Sequence, residues 1–64
     1  MSTTIAQQIR DARVRMKHTQ ASFSAAIGVH SMTVSKWERG IARPHRVFIE
    51  AILRLLADHQ EANA

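Results

Sequence analysis

Residues 30–39 read His-Ser-Met-Thr-Val-Ser-Lys-Trp-Glu-Arg. On a helix, Ser31, Met32, Ser35, Lys36 and Arg39 fall on one side, while Val34 and Trp37, three apart, fall on the other. The first side carries hydroxyls, a thioether and two cations. These groups can read nucleobase edges. Ser31 can donate to or accept from several bases, Met32 can touch a thymine methyl, and Lys36 can reach guanine O6 and N7 or a phosphate. Thr33 and Ser35 flank that face, and His30 at its start can meet a base or a phosphate. Arg39, Arg43 and Arg46 follow. Their type suits backbone phosphates, which hold a protein in register without reading sequence.

The charge of the chain is unevenly spread. Residues 1–46 hold eight of the nine basic side chains (Arg10, Arg13, Arg15, Lys17, Lys36, Arg39, Arg43, Arg46) against Asp11 and Glu38. Residues 47–64 hold Arg54 against Glu50, Asp58 and Glu61. A basic body with an acidic end suits a polyanion bound away from the C-terminus. Catalytic chemistry finds little support. His18, His30, His45 and His59 stand twelve to fifteen residues apart, so no two have metal-ligand spacing on a helix. With no cysteine, and glycine only at 28 and 40, thiolate sites and a glycine-rich phosphate loop are excluded. No cofactor, metal or small-molecule effector is expected, and the chain does not read as an enzyme. The longest apolar runs, Val47-Phe48-Ile49 and Ala51-Ile52-Leu53, are too short to span a bilayer. No signal peptide is evident, so a cytoplasmic location is expected.

At 64 residues, one domain covering 1–64 is expected, near the lower limit for unaided folding. Short helices must be held by neighbours, because helices of about eight residues are marginal alone. Thr4 and Gln7 have capping-box spacing, and Ile5, Ile9, Ala12 and Met16 form one apolar stripe, predicting a helix over about 4–17. Thr19 is the next N-cap, and Gly28 closes a second helix over 20–27 in which Phe23 and Ile27 point inward. Val29 in the turn is a core plug. The third helix covers 31–39, with Val34 and Trp37 buried and Gly40 ending it. Ile41 is placed to make the apolar contact that accompanies such a cap. Pro44 suits the first turn of a fourth helix over about 45–59, and residues 61–64 should fray. All-α architecture with four helices, or five if the last segment divides, follows.

That last helix is more apolar than one core requires. Phe48, Ile52 and Leu55 form one stripe, and Ile49, Leu53 and Leu56 form a second beside it. The apolar arc spans roughly 200°, against the roughly 100° of an ordinary surface helix. The second stripe, Ile49, Leu53 and Leu56, is therefore expected to face a second copy of the chain.

The segments Thr19-Gln20, Ile27-Gly28-Val29 and Thr33-Val34-Ser35-Lys36-Trp37-Glu38-Arg39-Gly40, followed by Pro44, resemble the helix-turn-helix domain of the phage-repressor/Cro class, the XRE family. The resemblance covers about four fifths of the chain. It departs at His18, where the family usually has an apolar residue, at His30, where a small capping Ser or Thr is usual, and in the C-terminal part, which reads as one long helix rather than two short ones. It implies a lambda-repressor-like fold with the third helix in the major groove of double-stranded DNA. It implies that Gln20 contacts a phosphate, and that Arg13 pairs with Glu38 to fix the third helix on the first. It also implies a dimeric transcriptional regulator on an inverted-repeat operator, repressing its own short operon. Family members of this size serve phage genes, toxin–antitoxin pairs, restriction–modification units and anti-CRISPR operons. The alternative is an antitoxin-like interaction module that uses the C-terminal helix to bind another protein.

Overall fold

The computed structural model describes residues 4–62, and side chains over residues 4–59. It contains four helices and no strand among the described residues: α1 (Ile5–Arg15), α2 (Gln20–Ile27), α3 (Ser31–Glu38) and α4 (Arg46–Ala62). The chain is thus all-α, with α2 and α3 as the helix-turn-helix pair.

Each early helix starts on a threonine. The Thr4 hydroxyl accepts from the Gln7 N–H at 3.2 Å, and the Gln7 side chain accepts from the Thr4 N–H at 3.3 Å. Thr19 accepts from the Ser22 N–H at 3.0 Å, and the Ser22 hydroxyl accepts from the Thr19 N–H at 3.0 Å. Both are reciprocal caps that satisfy backbone donors left free at a helix start. His30 opens α3 with no side-chain cap bond.

The helix ends share one device. After α1, Lys17 takes a positive φ of 60°, its N–H bonds Val14 O at 2.9 Å, and the His18 N–H bonds Arg13 O at 3.1 Å. After α3, Gly40 at φ 75° gives the same pattern, with Gly40 to Trp37 O at 3.1 Å and Ile41 to Lys36 O at 3.0 Å. This is the Schellman arrangement. Gly28 closes α2 at φ 94°. The glycines take these angles without steric cost, whereas Lys17 meets its own Cβ there. The two bonds back to α1 hold Lys17 there despite that cost, and the left-handed turn ends α1 before the expected residue 17.

The core is small and continuous. Ile9, Met16, Phe23, Val34, Trp37 and Ile52 are buried, with Phe23 and Val34 fully enclosed. Ile5, Ala12, Ile27, Val29, Ala42, Phe48, Leu55 and Leu56 pack around them. Burying a phenylalanine this completely contributes about 1.5–3 kcal/mol. The Trp37 and Phe48 rings lie 5.7 Å apart at 41°, joining α3 to α4. Ile41, which follows the Gly40 cap, does not pack on the buried core. It is 64% exposed, and Ala42 fills the core position instead.

The start of α4 also differs from expectation. Pro44 is buried but lies before the helix, which begins at Arg46. His45 caps it: its Nδ1 accepts from the Val47 N–H at 3.2 Å, and its carbonyl accepts from Phe48 and Ile49. An imidazole nitrogen here takes the place of a hydroxyl cap, displacing Pro44 by two positions. The far end runs to Ala62, beyond the expected stop at 59. The expected fraying at 63 and 64 lies outside the described residues.

Candidate nucleic-acid interface

The third helix is held from behind and open in front. Val34 is fully buried and Trp37 nearly so, which fixes the rotation of α3 about its axis. That rotation exposes Ser31, Met32, Lys36 and Arg39, and half-exposes Thr33 and Ser35. Met32 is 65% exposed, high for so apolar a side chain. Lys36 lies one turn beyond Met32 and pairs with no carboxylate among the described residues. His30 is exposed at the N-terminal end of the same helix. All six residues singled out for base contacts therefore sit on or beside the open face of one short helix.

The cations around that face differ in freedom. Arg39 folds back, donating from Nε to Ser35 O at 3.4 Å, a weak contact that leaves the rest of its guanidinium free. Arg43 is exposed in the α3–α4 loop and pairs with no carboxylate among the described residues. Arg46 approaches Glu50 of its own helix at 3.5 Å, and both side chains are well exposed. Such an exposed pair contributes little and can exchange partners readily.

Behind α3 lies a four-membered polar network. Arg13 Nε donates to Glu38 Oε2 at 2.6 Å and Nη2 donates to Oε1 at 3.1 Å. Arg13 Nη1 also donates to the His18 carbonyl at 2.9 Å. Gln20 Nε2 donates to the same Glu38 Oε1 at 3.2 Å. The Arg13 and Glu38 side chains are 15% and 6% exposed, so the pair is largely shielded from water. The fork-to-fork geometry fixes distance and angle together. It ties α1, the α1–α2 turn, the first residue of α2 and the last residue of α3 into one unit. Gln20 is half-buried with its amide nitrogen turned inward to Glu38. Neither that bond nor the His18 contact has a local sequence signal, because the partners lie eighteen and five residues apart.

The second stripe of α4 lies over α1. Ile49, Ile52, Leu53 and Leu56 face Ile5, Gln8, Ile9 and Ala12 across a groove of about 180 Å³. The stripe is divided. Leu56 already packs on the core and Ile49 is half-buried, whereas Leu53 is 59% exposed. No helix of the described residues is long and apolar enough to cross a membrane. No group of three His, Asp or Glu among them can hold a metal ion.

Comparison with known proteins agrees with this architecture. The Helix-turn-helix family profile matches residues 9–57, from the core residue of α1 into α4. The HTH-type transcriptional regulator DicA of Escherichia coli (strain K12) is 38% identical over 53 residues, covering 83% of this chain. The match covers 39% of DicA, so the chain spans well under half of that relative. No solved structure matches. Four helices with α2 and α3 joined through Gly28, a profile match over most of the chain, and the similarity to DicA place this protein in the helix-turn-helix family of XRE-type regulators.

Proposed function

We propose that this protein is a sequence-specific DNA-binding transcriptional regulator in the cytoplasm, acting as a homodimer on an inverted-repeat operator and repressing its own short operon. The observation that carries the reading is the front of α3. Ser31, Met32 and Lys36 are exposed there on a helix whose rotation is set by buried Val34 and Trp37. His30, Thr33 and Ser35 complete the base-reading set. Arg39, Arg43, Arg46 and Gln20 supply the phosphate contacts around it. The groove beside Leu53 supports the dimer, since a second copy would cover an exposed leucine that one chain leaves in water.

The test is selection of duplexes from a random-sequence pool. The expected product is an inverted repeat with half-site centres about one helical turn apart, roughly 34 Å. On that duplex Lys36→Ala should cost about 1–3 kcal/mol and relax preference at one base pair. A uniform loss on all sequences would make Lys36 a phosphate contact. No enrichment at all would overturn the reading.

Leu53 also favours a second reading, the antitoxin-like module that neutralises a protein through α4. Leu53→Asp separates the two. A folded monomer in sedimentation measurements, with weakened duplex binding, is the expected result. A folded dimer that loses only a protein partner would assign the groove to that partner.

A further inference from the structure

We propose that Met32 is a site of reversible oxidation, at which hydrogen peroxide turns the thioether into a sulfoxide and so removes the reading of a thymine methyl by α3. The inference rests on the DNA-binding reading above and adds a redox control to the same face.

Two methionines among the described residues stand in opposite settings. Met16 is 6% exposed, inside the core, whereas Met32 is 65% exposed on the open face of α3. A peroxide must touch the sulfur it oxidises, so a dilute dose reaches Met32 and leaves Met16 shielded. A sulfur lone pair attacks one peroxide oxygen. The S–O bond forms as the O–O bond breaks, and the second oxygen leaves as water with both peroxide protons. Sulfur gives up two electrons and the peroxide takes them. Methionine sulfoxide reductases return the thioether, so the change is reversible.

The consequence follows from where Met32 stands. Buried Val34 and Trp37 set the rotation of α3, and Met32 is presented beside Ser31 and Lys36. A thioether is apolar and polarisable, which suits the thymine methyl on the major-groove edge. A sulfoxide is polar and carries an acceptor oxygen with no proton to give. Against a methyl group that oxygen loses water and gains no partner. Thymine O4 and guanine O6 and N7 repel it, and only the amino groups of adenine and cytosine can answer it. Within the protein, Lys36 stands one turn on, exposed and paired with no carboxylate among the described residues. A Lys36 turned to the sulfoxide is withdrawn from guanine or phosphate. Met32 lies outside the core cluster, so oxidation there leaves the fold in place and acts on base reading alone.

The experiment crosses oxidation with removal of the methyl group. The probes are the duplex selected by the untreated protein and copies carrying deoxyuridine in place of one thymine at a time. Untreated protein should bind one such copy about fourfold more weakly, the effect of one buried methyl. Protein treated with dilute hydrogen peroxide is mapped by peptide mass spectrometry, which should show sulfoxide at Met32 and thioether at Met16. It should bind the thymine duplex about tenfold more weakly and no longer distinguish that thymine from deoxyuridine. Treatment with methionine sulfoxide reductases should restore both affinity and discrimination. Met32→Leu keeps an apolar side chain without sulfur, so it should bind like untreated protein and ignore peroxide. It retains Met1 and Met16, so it separates Met32 from them. Oxidation of Met16 ahead of Met32, unchanged affinity with Met32 oxidised, or an equal peroxide response in Met32→Leu would overturn the proposal and leave the DNA-binding reading standing. Indifference of the untreated protein to every thymine methyl would do the same. An untreated protein that selects no duplex would overturn both.

Discussion

Affinity for duplex DNA is expected to fall about 10³–10⁴-fold as salt rises from about 50 to 200 mM, because each cation that meets a phosphate releases a condensed counterion. The structure bears on which cations to count. Lys36 and Arg43 are exposed and pair with no carboxylate among the described residues. Arg39 has only a weak backbone contact, and Arg46 only an exposed partner on its own helix. Arg13 is left out, since Glu38 already neutralises it. Three to four cations per subunit then give a dimer a slope of about −5 to −7 in log K against log salt. A single bound subunit should show about half that slope, so the measurement also reports stoichiometry. Fluorescence-anisotropy titrations at several salt concentrations decide the matter. An affinity that does not respond to salt would end the DNA-binding reading, whatever the shape of α3.

Much of this frame was legible from local chemistry. Thr4, Thr19, Gly28 and Gly40 mark helix ends because each satisfies or frees particular backbone groups. Phe23 with Ile27 on α2, and Val34 with Trp37 on α3, read as core because their spacing puts each pair on one side of a short helix. What escaped was decided by tertiary contact or by a residue doing another's task. Nothing about Lys17 announces a left-handed turn; the bonds from His18 and Lys17 back to α1 hold it there. Pro44 suits a first helical turn, but His45 offers a ring nitrogen to the Val47 N–H and α4 starts at Arg46. Ser24 sits in the core, which its type did not suggest. Its hydroxyl donates to Ala21 O at 2.8 Å within its own helix, and that bond makes burial tolerable. Gln20 is expected at a phosphate, and it also takes part in the network behind α3. The Glu38 side chain turns one amide proton inward, and no pattern in the sequence joins those two residues.

Glu38→Ala should destabilise the domain by about 3–5 kcal/mol, the cost of leaving a shielded charge without its partner. The Arg13 side chain is 15% exposed, so water reaches the stranded guanidinium poorly, and two of its N–H groups lose their acceptor. Gln20 loses its acceptor as well. A 64-residue domain has on the order of 3–10 kcal/mol of stability in total, so this variant should lose about a third of it or more. Arg13→Met with Glu38→Leu should behave differently. Both charges are gone, the volumes are roughly kept, and the pair's desolvation cost disappears with its attraction. Urea denaturation of Arg13→Met, Glu38→Leu and the double variant should show a coupling of about 2–3 kcal/mol, with the double variant closer to wild type than either single variant. Purely additive losses would show that the two residues act independently, and the bidentate geometry would then carry no energetic weight. The folded double variant also isolates what the ion pair is for. If it unfolds like wild type yet binds duplex weakly, the pair does not serve stability. It sets the angle of α3 against α1 and holds Gln20 in place, which an apolar contact of equal volume cannot do.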